Sequence, residues 1–239
     1  MLVKDKKHFN LGLIMTAGFF GLFFLIMMPI FNGMNGLEYA DDIFNKLSKG
    51  SAYFVPKVSQ SAEKFVGKSF SITINLEGAK DAEQIKRMHT LLSKNNITAD
   101  IQGTKLNISG DLGLLLKVVI RDADFMYKND GEKLKSLYEY DEKKALKDWW
   151  TLLTRIDKEL QLKSQFDMAK MVNEVNKKLV ETSYNYYKIE SQSVMDKFFV
   201  MSGLLVFYVV YTLWWGYALY HLFEGVGLTS KKAKVKKEV

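Results

Sequence analysis

The chain of 239 residues has no cysteine, two prolines and three histidines. The absence of cysteine excludes disulfides, thiol catalysis and cysteine-ligated metals. With so few histidines, most acid-base and metal constellations lack the residues they need. The composition therefore predicts a protein without enzymatic activity and without a metal site.

Charge is missing from two long stretches. Residues 11–31 read LGLIMTAGFFGLFFLIMMPIF, and residues 198–223 read FFVMSGLLVFYVVYTLWWGYALYHLF. Each exceeds the roughly 20 apolar residues that a helix needs to cross a bilayer. Both are predicted to be transmembrane helices. The first is interpreted as an uncleaved signal anchor, because no clear small-x-small cleavage site follows it, and a cleavable signal peptide is the alternative.

Lysines flank these two stretches on their outer sides. Lys4, Lys6 and Lys7 precede the first, and five lysines follow the second within residues 231–237. Because basic loops are retained in the cytoplasm, we expect both termini, residues 1–10 and 224–239, to be cytoplasmic. The middle of the chain would then be extracytoplasmic, or periplasmic, with the protein in the cell (inner) membrane. The lysine tail suits anionic lipid rather than nucleic acid.

Residues 32–131 predict a small α/β domain. A short amphipathic helix begins near Leu37, and KSFSITINLEG then alternates apolar and polar residues as a half-buried strand does. Further patterns complete the order β-α-β-β-α, with Asp111 capping the last helix. This order resembles the ferredoxin-like split unit without its fourth strand, a likeness that implies no function. The fold class expected is an α+β membrane protein with two transmembrane helices flanking this domain.

Residues 132–197 contain neither glycine nor proline. Apolar residues recur at helical spacing on both sides of QLKSQFD, which predicts a long helical hairpin. Its second arm, from about Asp167, is expected to continue without a break into the second span. A single bent helix is the alternative.

Aromatic residues are concentrated in and before the second span. Exposed tyrosine and tryptophan favour binding surfaces, since they bury much area at low entropic cost. The predicted partner-binding residues are Tyr184, Tyr186, Tyr187, Tyr208, Tyr211 and Trp215. In the first span, Ala17 and Gly21 form a small-xxx-small pair that permits close helix packing. Packing of these residues within the chain is the alternative to binding a partner.

Two histidines lie at corresponding ends of the spans. His8 precedes the first apolar stretch and His221 lies near the end of the second. Two imidazoles on neighbouring helices can ligate a haem iron, so a haem-binding membrane anchor is one alternative. Otherwise no cofactor is expected.

The short cytoplasmic segments restrict the function. Sixteen residues after the second span are too few for a signalling output domain, and neither span holds the charged residues that mark a solute pathway. We expect a non-catalytic accessory or scaffold subunit, whose extracytoplasmic domain docks a partner of a membrane complex or a second copy. An extracytoplasmic ligand-binding sensor module, coupled to a separate membrane protein, is the second hypothesis.

Overall fold

The computed structural model describes residues 3–75, 82–103 and 105–228. The chain divides into two compact units, one formed by residues 1–47 with 192–239, and the other by residues 48–191, here called the central domain. Leu76, the last alternating apolar residue of the first predicted strand, and the lysine tail at 231–237 lie outside the described residues.

The first unit contains two long apolar helices, α1 (Lys6–Ile26) and α10 (Phe198–Val226). Each is long and apolar enough to cross a membrane. Phe9 packs against Gly225, and the ring of Phe19 stacks on Tyr211 at 4.1 Å. The two helices are therefore antiparallel, and the chain enters α1 beside the point where it leaves α10.

The ends of α1 differ from the predicted span, residues 11–31. The helix starts earlier because the Asp5 carboxylate caps it, accepting hydrogen bonds from the main-chain nitrogens of Lys7 at 2.9 Å and His8 at 3.1 Å. It ends at Ile26, shortly before Pro29, which disfavours helical geometry in the residue preceding it. The second span was predicted at residues 198–223. Helix α10 begins at the predicted residue, Phe198, but ends at Val226, three residues later than predicted.

Helix α2 (Gly36–Ser51) corresponds to the predicted amphipathic helix. Its start is a capping box. The Asn35 side chain accepts hydrogen bonds from the nitrogens of Leu37 and Glu38, and the Glu38 carboxylate accepts one from the Asn35 nitrogen at 3.0 Å. Ile43 and Leu47 are buried on its apolar face.

The central domain contains a three-stranded antiparallel sheet of β1 (Ser69–Asn75), β2 (Thr98–Gln102) and β3 (Lys105–Asp111). The strands lie in the order β1-β3-β2, and Ile72 pairs with Ile108. Because β3 is antiparallel to both neighbours, β1 and β2 run parallel on either side of it. This is the arrangement of a split β-α-β unit.

Helices cover one face of this sheet. Alternate residues of β1, namely Phe70, Ile72 and Ile74, are buried, as the period-two pattern predicts. The covering elements include α4 (Ala82–Lys94), α5 (Leu112–Tyr127) and α7 (Glu142–Leu162). Asp111 caps α5 as predicted, accepting a hydrogen bond from the Leu114 nitrogen at 2.9 Å.

Shorter helices complete the domain. α3 (Val55–Ala62) continues into a 3₁₀ turn, Glu63–Phe65, and α6 (Gly131–Tyr138) precedes α7. At Gly113 of α5, a Cβ atom would collide with the main chain of Val66. Only glycine permits this close approach between α5 and the segment after α3.

A buried carboxylate joins three helices in the core. Asp122 of α5 is fully buried and accepts hydrogen bonds from Trp149 Nε1 at 2.8 Å, from Arg121 Nη2 at 2.7 Å and from the Tyr138 hydroxyl. Arg121 also donates to Asn95, which follows α4, at 3.0 Å. Because each donor lies on a different segment, this network fixes how the helices pack.

Helix α7 and α8 (Phe166–Val175) form an antiparallel pair joined by a turn at residues 163–165. Ser164 adopts a left-handed conformation in the turn, with φ of 57°. The Asp157 carboxylate of α7 binds the Asn173 amide of α8 at 2.9 Å. A single bent helix, the alternative considered for this segment, is therefore not found.

The expectation that the second arm continues unbroken into the second span is wrong. α8 leads through a π-helical segment (Asn176–Glu181) into α9 (Thr182–Tyr186), and residues 187–194 are not helical. Lys188 has φ of 67°, and its nitrogen donates to the Asn129 side chain at 2.8 Å. Tertiary partners thus hold this main chain outside the helix, although no glycine or proline interrupts the sequence.

Candidate functional site

The three tyrosines predicted to bind a partner differ in exposure. Tyr184 is 39% exposed, Tyr186 is half-buried, and Tyr187 is buried with its hydroxyl donating to the Glu142 carboxylate at 2.9 Å. Burial, together with this hydrogen bond, raises the pKa of Tyr187 to about 12. The Tyr187 hydroxyl therefore stays protonated at neutral pH, and the side chain packs inside the domain. The prediction that Tyr187 lies on a partner-binding surface is corrected accordingly. Of the three, Tyr184 is the most exposed.

Tyr184 lines a surface groove between α7 and the π-helical and α9 segments. The groove has a volume of about 280 Å³, and we call it the aromatic groove. Its lining residues are Leu146, Lys147, Trp150, Val180, Glu181, Tyr184 and Asn185. Apolar side chains form most of this surface, with Trp150 and Tyr184 as its two large exposed rings.

Trp150 is the site residue that the sequence analysis missed. Its neighbour Trp149 is fully buried, whereas Trp150 is 40% exposed and donates from Nε1 to the Glu181 carboxylate at 2.8 Å. The sequence did contain a signal that one of the two tryptophans is exposed. Successive residues of a helix point about 100° apart, so two adjacent tryptophans cannot both face one core.

Two lysines of α7 lie on one side of the groove. Lys147 lines it, and the Lys143 ammonium lies 5.6 Å from the centre of the Tyr184 ring and 6.0 Å from that of Tyr187. Among the described residues, neither lysine forms an ion pair with a carboxylate. The nearby Glu181 is engaged by Trp150.

The wall opposite α7 includes a π-helical segment, a wide turn that is frequent at functional sites. The Thr182 hydroxyl donates to the Lys177 carbonyl five residues earlier, at 3.3 Å, in register with this wide turn. Asn176 Oδ1 and Ser183 Oγ are buried without a hydrogen-bond partner among the described residues. Of the π-helical segment, Val180 and Glu181 line the groove.

Aromatic side chains of the second span bind the first. The Tyr211 hydroxyl donates to the Phe19 carbonyl, and Trp214 Nε1 donates to the Met15 carbonyl, both at 3.0 Å. Trp215 contacts the Phe19 ring, with ring centres 4.7 Å apart. Tyr211 and Trp215 therefore pack within the chain, which was the alternative to binding a partner. Tyr208 differs, being 66% exposed on the outer side of α10.

The predicted small-xxx-small contact is not where the two long helices approach most closely. Ala17 and Gly21 are exposed, and a Cβ atom at Gly21 would meet nothing within 4 Å. Close approach occurs instead at Gly12 and Gly225, where a Cβ atom would lie 2.7 Å from the Leu222 nitrogen and 2.6 Å from Phe9 Cα, respectively. Ala17 and Gly21 lie on the side of α1 that faces away from α10, which explains the difference.

His8 and His221 meet at this closely packed end. Their Nδ1 atoms are 2.9 Å apart, so one ring donates a hydrogen bond and the other accepts it. Imidazoles on opposite sides of one iron would place their ligating nitrogens about 4 Å apart, twice a typical metal–imidazole bond. The two residues do not fit haem ligation in this geometry. They join α1 to α10.

A buried lysine, also missed from the sequence, joins the two ends of the central domain. Lys49 is 2% exposed, and its ammonium donates to the carbonyls of Ile189 at 2.6 Å and Tyr186 at 3.1 Å. The third acceptor is Asn129 Oδ1 at 2.9 Å. Burial lowers the pKa of Lys49. The three acceptors match the three ammonium hydrogens. Lys49 therefore connects the start of the central domain, on α2, to its end at residues 186–189.

Within the described ranges, no group of three or more histidine, aspartate or glutamate side chains is arranged to hold a metal ion. Comparison of the chain with protein-family models, with curated proteins and with solved structures finds no match. The aromatic groove is therefore interpreted from its own chemistry.

Proposed function

We propose that this chain is a non-catalytic, membrane-anchored accessory or scaffold subunit whose central domain docks a partner of a membrane complex. The aromatic groove carries this proposal. Trp150 and Tyr184 are large, exposed and adjacent on one surface, and tyrosine and tryptophan are the residues most enriched among energetic anchors of protein interfaces.

The shape of the groove favours a protein partner over a small molecule. Small-molecule sites usually bury most of the surface of their ligand. This groove, of about 280 Å³, is open to the surface and suits one or two side chains of a docked segment. This supports the accessory subunit over the ligand-binding sensor module.

The proposed topology has α1 and α10 in the cell membrane, both termini in the cytoplasm and the central domain outside it. The excess of lysine before α1 and after α10 supports this orientation. The antiparallel contact of α1 with α10 agrees with having both termini on one side.

Single cysteines will report this topology, because the natural chain has none. Ser136→Cys lies at an exposed position of the central domain, and Ser230→Cys lies in the tail. A membrane-impermeant maleimide added to intact spheroplasts is expected to label the first variant and to label the second only after lysis. The reverse pattern would overturn the proposed orientation.

Docking is tested by a double substitution, Trp150→Ala with Tyr184→Ala. A stoichiometric partner should co-purify with the wild-type chain from native membranes in mild detergent. Loss of two anchors, each contributing about 2 kcal/mol or more, should reduce its recovery at least tenfold.

The matched control is Phe166→Ala, which removes a 64% exposed aromatic ring outside the groove and should leave recovery unchanged. Near-ultraviolet circular dichroism should show that all variants are folded. Differently tagged copies of the chain will reveal whether the partner is a second copy. A wild-type chain that purifies as a clean monomer, or a double variant that keeps its partner, would contradict the docking role.

A further inference from the structure

The charges around the aromatic groove define the chemistry of its occupant. Glu181 accepts the Trp150 indole hydrogen, and Glu142 accepts the Tyr187 hydroxyl and lies 3.9 Å from the Lys188 ammonium. Both carboxylates keep their negative charge, because the indole and the phenol that bind them are neutral donors, and Glu181 lines the groove on the side opposite α7. Among the described residues, no ion pair joins either carboxylate to the two lysines on α7. Lys143 and Lys147 remain available for charges on a partner.

Docking would also draw these two lysines away from water. An ammonium that loses hydration needs a compensating acceptor, and a like charge opposite it is strongly disfavoured. A basic group of the partner would therefore be disfavoured where it faces Lys143 or Lys147. A neutral partner would leave two partly desolvated ammonium groups without compensation.

We propose that the aromatic groove binds an acidic peptide segment of the partner. One or two apolar side chains of the segment enter the groove between Trp150 and Tyr184, and flanking carboxylates face Lys143 and Lys147. This inference rests on the proposed docking function and adds the class of partner.

The two parts of the groove have different roles. The aromatic rings supply most of the affinity, because buried anchors dominate interface energetics. The rim lysines select the sign of the partner's charge and accelerate its association, an effect that salt screens. Mutation of the lysines should therefore change the salt dependence of binding, which mutation of a purely apolar groove would not do.

The test uses a phage-displayed library of random 12-residue peptides, selected on the purified full-length chain in detergent. Peptides that bind the wild-type chain but not the Trp150→Ala, Tyr184→Ala variant are the groove-dependent set. This set is expected to have net negative charge and to contain at least one large apolar residue. A groove-dependent set that is neutral or basic, or an empty one, would overturn the inference.

Affinity measurements on a selected peptide will then separate the two roles. Lys143→Glu with Lys147→Glu should weaken binding at least tenfold at 50 mM salt, and most of that difference should vanish at 500 mM. The control, Lys133→Glu with Lys135→Glu, makes the same net change on α6 and should bind like the wild-type chain. An unchanged affinity in the Lys143, Lys147 variant would overturn the acidic class.

Failure of this inference is distinguishable from failure of the docking function. One outcome is that the native partner is lost with the aromatic variant but retained with the Lys143, Lys147 variant. That result would support docking at the groove and would contradict an acidic docked segment. If the partner is retained by both variants, docking at this groove is overturned as well.

Discussion

Replacing Asp122 with alanine is expected to lower the free energy of unfolding by about 3–5 kcal/mol. The substitution removes the shared acceptor of three donors and leaves the Trp149 indole N–H and the Tyr138 O–H buried without that acceptor. The Tyr138 oxygen still accepts a hydrogen bond from the Asn95 amide at 2.9 Å. Each orphaned donor costs about 1–3 kcal/mol. Arg121 is less affected, because its side chain is 41% exposed and regains hydration.

Thermal unfolding of the full-length chain in detergent, followed by near-ultraviolet circular dichroism, measures this effect. A loss of this size should lower Tm by about 10 °C. Asp124→Ala is the matched control on the same helix, since Asp124 pairs with Lys128 and Tyr53 near the surface. Its expected cost is about 1 kcal/mol or less. Equal effects of the two substitutions would show that the Asp122 network does not organise the core.

Replacing Lys49 with methionine is expected to cost about 2–4 kcal/mol. Methionine fills a similar volume but removes three hydrogen bonds to a charged donor. Each acceptor keeps one other donor: the Ile189 nitrogen for the Tyr186 carbonyl, the Asn129 amide for the Ile189 carbonyl, and the Lys188 nitrogen for Asn129 Oδ1. Relief from burying an ammonium offsets part of the loss. The end of the central domain should therefore loosen, and limited proteolysis should cut near residues 187–191 faster than in the wild-type chain.

Lys46→Met is the matched control for this substitution. Lys46 lies on the same helix and pairs with Asp42 in a partly exposed i,i+4 ion pair, so its loss should cost less than about 0.5 kcal/mol. If Lys49→Met matches this control in its free energy of unfolding and in its rate of proteolysis, the buried ammonium does not stabilise the end of the central domain.

The stability of the wild-type chain should also depend on pH through Lys49. Burial places the pKa of Lys49 below its ordinary value of 10.5, so the unfolded chain keeps this proton to higher pH than the folded chain does. Between the two pKa values the unfolded state binds more protons, and stability rises with pH. The difference in stability between wild type and Lys49→Met should therefore grow as pH approaches 10.5. A difference that is constant over this range would contradict the assignment.

Local patterns predicted several elements of the fold. The apolar stretches required only length and composition, and the alternation of Phe70, Ile72 and Ile74 required only the two-residue period of a strand. Asp111 was recognisable as a cap because its carboxylate binds a nitrogen three residues away. Each of these features depends on neighbours in sequence, which a linear pattern records.

The residues of the aromatic groove were only partly predictable. Tyr184 belonged to a visible tyrosine cluster, yet the same cluster contains Tyr187, which is buried against Glu142. Whether Trp149 or Trp150 faces outward depends on where the Asp122 carboxylate lies, 27 residues earlier in the chain. No local pattern contains that information, because the partner comes from another helix.

By itself, the sequence determined that two helices are apolar enough to cross a membrane, that the intervening chain mixes helix with a small sheet, and where lysines gather. Hydropathy, side-chain period and charge are properties of neighbouring residues, so they can be read along the chain. Only the tertiary structure decided which aromatic rings face outward, that Lys49 is buried, that the chain leaves its helix after Tyr186, and that Gly12 and Gly225 form the closest helix contact. Those features depend on contacts between residues that are distant in sequence. A pattern of neighbouring residues does not show which of these contacts form.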